Sequence, residues 1–113
     1  MDNHFVRVIN TESFEELMSQ SKERAVVVFK HSTTCPISAA AYQEMAQFDG
    51  EVALVEVQSA RELSSEIENR TGLAHESPQV IILRNSKVVW SASHGKVKAD
   101  AVAEAVREAV NKS

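Results

Sequence analysis

Cysteine is almost absent from this chain, because Cys35 is the only one among 113 residues. A single cysteine excludes an intramolecular disulfide framework and a cysteine-rich metal site within one chain. An excess of one charge is also missing, since 16 acidic and 12 basic residues are interspersed and give a net charge of −4. A nucleic-acid binder concentrates basic residues on one face, so we expect no nucleic-acid partner.

Long apolar runs are missing as well, and none reaches the roughly 18 residues that a membrane-spanning helix needs. The start, Met1 to His4, lacks the basic and apolar regions of a secretory signal. We therefore expect a cytoplasmic protein without a membrane partner. The apolar fraction of 43% and the charged fraction of 25% exclude wholesale disorder and collagen-like or coiled-coil classes. The length predicts one domain, residues 1–113.

Strand-forming segments alternate with helical patterns along the chain. The predicted strands cover residues 5–9, 25–29, 52–57, 80–83 and 88–90. The predicted helices cover residues 11–21 and 37–49, a segment around Leu63 and Ile67 that ends at Gly72, and residues 101–110. The order β-α-β-α-β-α-β-β-α predicts a layered α/β domain with a mostly parallel core and helices on both faces.

Three local patterns refine this prediction. Residues 25–29 are continuously apolar, which is typical of a central strand buried on both faces. Ser13 and Glu16 have the spacing of a capping box at a helix start. The link at residues 84–87 is short and favours an antiparallel hairpin.

Cys35 lies where the strand at residues 25–29 gives way to a helical pattern. At a helix N-terminus the unpaired N–H groups and the dipole favour a thiolate, so the thiol pKa should fall below about 8.5. Pro36 suits the first helical turn because its missing N–H has no intrahelical partner there. Ile37 and Ser38 can offer backbone N–H groups to the sulfur, and the Ser38 hydroxyl can add another donor.

Alternatives stay open at this point. Lys30 and His31 precede the cysteine and either favour its thiolate electrostatically or are exposed to solvent. Cys35 itself is either reactive or an inert core residue, since isolated cysteines are often buried and unreactive. The segment Ser77-Pro78-Gln79 directly precedes the strand at residues 80–83, and proline belongs at a strand start because it cannot donate to a sheet ladder. The simple alternative is an ordinary trans proline at a strand start.

The whole chain resembles a thioredoxin-fold protein with a central mixed sheet of four to five strands and helices on both faces. The segment Cys35 to Ser38 matches the Cys-x-x-Ser form of that superfamily's active site. The segment Ser77-Pro78-Gln79-Val80 resembles its cis-proline segment, most closely that of glutaredoxins. Both motifs, with the flanking Thr34 and His75-Glu76, are similar to those of the monothiol bacilliredoxins, the YtxJ-like proteins of the bacillithiol system.

This resemblance implies a thiol–disulfide oxidoreductase that removes bacillithiol from protein mixed disulfides and serves cell redox homeostasis. It implies no permanently bound cofactor and no metal, with bacillithiol as co-substrate. The partners are bacillithiolated proteins, bacillithiol itself and a disulfide reductase. Because the chain has one cysteine, a second thiol from free bacillithiol or a partner redoxin must resolve the Cys35–bacillithiol disulfide.

The implied site has two catalytic residues and a set of substrate-binding residues. The catalytic residues are Cys35 and Ser38. The substrate-binding residues are Thr34, Pro36, Ile37, Ser77, Pro78, His94, Gly95 and Lys96. Within that set, Gly95 would allow close backbone approach and Lys96 or His94 would pair with the malate group of bacillithiol, as glutaredoxins contact the carboxylate end of glutathione. The alternative for residues 94–96 is a solvated loop that opens a helix.

Regulatory capture of Cys35 by partner proteins remains open from the sequence, since it shares the exchange chemistry but needs no turnover. Two functions with other chemistry remain open as well. The first is a monothiol glutaredoxin-like carrier that holds an iron–sulfur cluster between two chains through Cys35. Pro36 counts against it, because cluster-binding monothiol glutaredoxins have glycine after the cysteine. The second is a noncatalytic thioredoxin-fold binding module, which predicts an ordinary thiol pKa and no adduct with oxidised bacillithiol.

Overall fold

The structure, a computed structural model, describes residues 4–111. Five strands form one mixed sheet in the order β1-β3-β2-β4-β5. The strands are β1 (Phe5–Arg7), β2 (Val26–His31), β3 (Val52–Glu56), β4 (Gln79–Arg84) and β5 (Lys87–Ser93). The helices are α1 (Thr11–Gln20), α2 (Pro36–Gln47), α3 (Arg61–Thr71) and α4 (Ala99–Asn111), with a short 3₁₀ turn at His94–Lys96. The predicted element order and mixed sheet are confirmed.

The strand directions differ from the mostly parallel core that the alternation predicts. β1 pairs with β3 and β3 with β2 in parallel, whereas β4 runs antiparallel to both β2 and β5. After α3 the chain turns back along that helix, where Ser64 Oγ lies 3.2 Å from His75 Nδ1. Consequently β4 starts at the end of the sheet where β2 finishes, with Gln79 opposite Lys30.

Helices cover both faces of the sheet, as predicted. One core lies between the sheet and helices α2 and α4, and includes Phe29, Met45, Val80, Ile82 and Val102. The other lies between the sheet and helices α1 and α3, and includes Phe14, Val28, Leu63, Ile67 and Ile81. Among the described helices, none is long and apolar enough to cross a membrane.

Several element ends differ from the prediction. β1 stops at Arg7 rather than at residue 9, and Ile9 is 62% exposed. The predicted capping box is wrong, because Asn10 caps α1 by accepting the Ser13 N–H at 2.9 Å. Ser13 thus lies inside the first turn and is not the cap. Gly72 ends α3 with a left-handed φ of 75°, as predicted.

The predicted hairpin between β4 and β5 is confirmed. Its two turn residues, Asn85 and Ser86, have φ values of 56° and 62°. Positive φ at both central positions is typical of a type I′ turn, whose twist matches that of the flanking strands. β5 is therefore an antiparallel edge strand, on which Trp90 is partly buried against the core.

Candidate active site

Cys35 is the N-cap of α2, directly after the loop that follows β2. Its backbone is extended, with φ −103° and ψ 125°, and Pro36 is the first residue of the helix. The Cys35 carbonyl accepts the Ala39 N–H at 3.0 Å, which is the first hydrogen bond of the helix. The side chain is partly exposed and Ile37 beside it is 51% exposed. Cys35 is therefore not a buried core residue.

The helix N-terminus lowers the pKa of the Cys35 thiol from its ordinary value. The Cys35 side chain makes no standard capping hydrogen bond, yet nearby donors favour its thiolate. The backbone N–H of Ser38 lowers the Cys35 pKa most, and that of Ile37 comes second. Partial burial raises the pKa and so opposes them. The Ser38 hydroxyl lowers it by a smaller amount. The thiolate is the nucleophile in disulfide exchange, so this arrangement raises the reactive fraction near neutral pH.

Ser38 is fully buried in the first turn of α2. Its Oγ accepts the Ser32 backbone N–H at 3.3 Å. A hydroxyl that accepts through a lone pair still has its own hydrogen to donate, and the Ser38 hydroxyl helps to lower the pKa of Cys35. Ser38 thus links the loop before the cysteine to the sulfur.

Replacing Ser38 with alanine should raise the Cys35 pKa and slow its alkylation by iodoacetamide severalfold at pH 7. The expected rise in pKa is partial, because the backbone N–H groups remain. The measurement is the alkylation rate as a function of pH, with Ser65→Ala on the exposed side of α3 as the control. An unchanged pH profile would contradict the role of the hydroxyl.

The cis-proline segment lies at the same end of the sheet as Cys35. The Ser77–Pro78 peptide bond is cis, as the sequence resemblance implies, and not the ordinary trans alternative. Pro78 is buried, and its carbonyl accepts the His94 N–H at 3.0 Å. The Ser77 hydroxyl is buried without a hydrogen-bond partner in the described part of the chain. The register of β2 with β4 brings this segment beside the loop that leads to Cys35.

Residues His94, Gly95 and Lys96 form an exposed 3₁₀ turn that contacts both the cis-proline segment and α2. His94 Nε2 lies 3.2 Å from Glu76 Oε1, so one candidate cation already has a carboxylate neighbour. A Cβ added at Gly95 would meet no atom within 4 Å, which leaves open space above this residue. Their predicted contacts with malate stay predictions.

Lys30 and His31 are the last two residues of β2, and both are buried. The alternative that they are solvent-exposed is wrong, because β2 continues past Phe29, where Lys30 pairs with both β3 and β4 and His31 pairs with β3. Neither residue is among the groups that lower the pKa of Cys35. The causes of the lowered Cys35 pKa therefore give no support to the alternative electrostatic role of these two residues.

The side chains of Lys30 and His31 point to opposite faces of the sheet. The Lys30 Nζ has no hydrogen-bond partner among the described residues, and burial lowers the pKa of this amine, opposed by Glu68 and Glu76. The His31 ring lies 5.0 Å from that of Tyr42. Burial lowers the pKa of His31 as well, opposed by Glu56.

Gln58 is a site neighbour that the sequence analysis missed. It lies in the turn after β3, and its side-chain amide contacts the three residues that separate β2 from Cys35. No local motif marks it, since its partners are 24 to 26 residues away in the sequence. The parallel pairing of β2 and β3 is the only signal, because it places the carboxyl ends of both strands at one edge.

Comparisons with known proteins agree with this arrangement. The family model described as monothiol bacilliredoxin BrxC matches residues 7–102. A solved structure described as a candidate oxidoreductase with a thioredoxin fold is 34% identical to this chain. The match covers 89% of this chain and 92% of the chain in that structure, with a TM-score of 0.82.

Two thioredoxins are more distant. Fasciola hepatica thioredoxin is 16% identical over 91% of this chain and 97% of its own, with a TM-score of 0.73. Thioredoxin f from spinach chloroplast is 20% identical over 97% of this chain and 99% of its own, with a TM-score of 0.69. At these identities the likeness shows the fold alone.

Proposed function

The chain belongs to the monothiol bacilliredoxin family of thioredoxin-fold redox proteins, and from that premise we propose that it removes bacillithiol from protein mixed disulfides through Cys35. The observation that carries this proposal is the single thiol at the N-terminus of α2, where backbone N–H groups lower its pKa. Partial exposure of the sulfur leaves it accessible to a disulfide on another molecule.

The proposed reaction has two exchange steps. In the first, the Cys35 thiolate attacks the bacillithiol sulfur, the mixed disulfide breaks, and the client thiolate leaves and takes a proton from water. A Cys35–bacillithiol disulfide remains. In the second, the thiolate of a second bacillithiol or of a partner redoxin attacks the bacillithiol sulfur and releases the Cys35 thiolate. The client thiol is thereby restored and one resolving thiol is consumed, and the disulfide bond passes to a product that joins bacillithiol to the resolving thiol.

We assign the surface around the sulfur to the mixed disulfide. Thr34, Pro36 and Ile37 are exposed on the helix side of Cys35 and would contact the client. Ser77 and Pro78 lie on the strand side and would contact the bacillithiol half. This arrangement is supported by the way the sheet register brings both segments to one edge.

Lys96 is our candidate for the malate group of bacillithiol. It is exposed on the 3₁₀ turn beside Pro78, whereas His94 already faces Glu76. Lys96→Ala should raise KM for a bacillithiolated protein about two- to fivefold, the range expected for an exposed ion pair. Alkylation of Cys35 should be unchanged.

The matched control for that variant is Lys98→Ala, an exposed lysine two residues further on. The Lys96 effect should weaken as salt is added, because exposed charges are screened. If Lys96→Ala and Lys98→Ala give the same KM as the parent chain, Lys96 does not bind malate.

A turnover experiment tests the proposed function. A protein with one bacillithiolated cysteine is mixed with a small amount of the chain, and the released client thiol is measured. We expect about one client thiol per chain without added bacillithiol, and many when bacillithiol and its reductant are present, because one cysteine cannot resolve its own adduct. Failure to release client thiol, or release of a glutathionylated client at the same rate, would contradict the proposal.

A further inference from the structure

We propose that Gln58 is a positioning residue for Cys35, and that its side-chain amide holds the preceding loop so that Ser38 can donate to the thiolate. The proposal rests on the proposed function in one respect, namely that Cys35 is the reacting group. The described hydrogen bonds of the Gln58 side chain go to the loop before Cys35 and not to the sulfur.

The Gln58 amide contacts three consecutive residues of the loop. Its Oε1 accepts the Thr33 backbone N–H at 3.1 Å. Its Nε2 donates to Ser32 Oγ at 2.9 Å and to Thr34 Oγ1 at 3.0 Å. The orientation of the amide follows from its partners, because a backbone N–H can only donate and must therefore face the oxygen. The oxygen and both N–H groups of the Gln58 amide thus all have hydrogen-bond partners in this one loop.

The position of Gln58 follows from the pairing of two parallel strands. The Val57 N–H donates to the His31 carbonyl at 3.0 Å, which extends the β2–β3 ladder to the end of β2. The chain then turns, and the Ser59 N–H donates to the Glu56 carbonyl at 3.1 Å. Gln58 lies in this turn, opposite the loop that leaves β2. The pairing of β2 with β3 therefore places the Gln58 amide beside the loop that precedes Cys35.

The loop that Gln58 holds is coupled to the sulfur through Ser38. The Ser32 N–H donates to Ser38 Oγ at 3.3 Å. This bond occupies a lone pair of the hydroxyl and leaves its hydrogen for Cys35, whose thiolate the Ser38 hydroxyl favours. Gln58, Ser32, Ser38 and Cys35 therefore form a continuous chain of contacts. Ser32 is fixed at both its hydroxyl and its N–H, one by Gln58 and the other by Ser38.

Loss of the amide should release this chain of contacts. Thr33 and Thr34 are exposed and Ser32 is only partly buried, so few packing contacts hold the loop in place. Without Gln58, the conformational entropy cost of ordering the loop is offset by fewer hydrogen bonds, chiefly the bond from the Ser32 N–H to Ser38 Oγ. Ser38 then loses its fixed N–H partner, and its hydroxyl can turn away from the sulfur.

The test is the pH profile of Cys35 alkylation by iodoacetamide in the Gln58→Met variant. Methionine keeps the length of glutamine and removes every hydrogen bond of the amide. We expect the Cys35 pKa to rise and the rate at pH 7 to fall severalfold, with an unchanged rate at high pH where all of the thiol is ionised. Gln47→Met, at the exposed far end of α2, should match the parent chain.

A double-mutant cycle separates positioning from a general structural role. If Gln58 acts through the Ser38 hydroxyl, Gln58→Met should raise the Cys35 pKa no further in a Ser38→Ala background. Full additivity of the two shifts, or a lowered melting temperature with an unchanged pH profile, would overturn the proposal. Iodoacetamide contains no bacillithiol, so this outcome is independent of whether bacillithiol is the substrate.

Discussion

The Cys35→Ser variant is expected to lose disulfide exchange while remaining at least as stable as the parent chain. The exchange rate should fall on the order of a thousandfold, since a serine hydroxyl is not ionised at neutral pH and forms no disulfide. Release of client thiol from a bacillithiolated protein measures this loss. No other thiol of the chain can account for the exchange activity, because Cys35 is its only cysteine.

The stability half of this prediction follows from the position of Cys35 as the N-cap of α2. Its side chain makes no standard capping hydrogen bond, whereas serine is among the preferred N-cap residues. We expect the free energy of unfolding to be unchanged or to rise by up to about 1 kcal/mol. Urea unfolding measures it. A loss of more than that amount would mean that the sulfur packs as a structural group and that the active-site assignment is incomplete.

The Lys30→Met variant is expected to be more stable than the parent chain. Lys30 is fully buried, and its Nζ has no hydrogen-bond partner among the described residues. Replacing a poorly compensated buried charge by an apolar side chain of similar volume stabilises proteins by about 1–4 kcal/mol. Urea unfolding at pH 7 measures the gain, and Lys87→Met on the exposed edge of β5 is the matched control.

The pH dependence of that gain provides a second measurement. Burial lowers the pKa of Lys30 in the folded chain below 10.5, its value in the unfolded chain. Between these two pKa values the unfolded chain binds more protons than the folded chain. Stability of the parent chain should therefore rise with pH across this window. The advantage of Lys30→Met should be full below the folded pKa and should shrink as pH approaches 10.5. A gain that does not change with pH would show that folding leaves the Lys30 pKa unchanged, and would contradict the effect of burial.

The same variant separates stability from chemistry at Cys35. Lys30 is not among the groups that lower the pKa of the thiol. Lys30→Met should therefore leave the pH profile of Cys35 alkylation unchanged. A rise in the Cys35 pKa would instead restore the electrostatic role that is one of the two sequence-based alternatives for Lys30.

The local features of this fold can be predicted from the sequence where one short pattern determines them. The continuously apolar residues before Lys30 predict the central strand, and Gly72 predicts the end of α3 through its left-handed conformation. The position of Cys35 before Pro36 predicts the helix N-terminus and the lowered thiol pKa. The resemblance at Ser77-Pro78 predicts the cis peptide bond.

Features that depend on strand pairing could not be predicted in the same way. A lysine and a histidine after an apolar run suggest the end of a strand. In the structure β2 continues instead, because Lys30 pairs with β3 and β4 and His31 pairs with β3. The antiparallel direction of β4 depends on how residues 72–78 return along α3. The contacts of Gln58 depend on the same pairing, because they join segments more than 20 residues apart.

The most direct test of the proposed function is the intact mass of the chain after one reaction with an equal amount of a bacillithiolated protein. We predict that the chain gains the mass of one bacillithiol in disulfide linkage at Cys35, while the client loses the same mass and regains its thiol. An unchanged chain beside an unchanged client, or an adduct on any residue other than Cys35, would contradict the proposal.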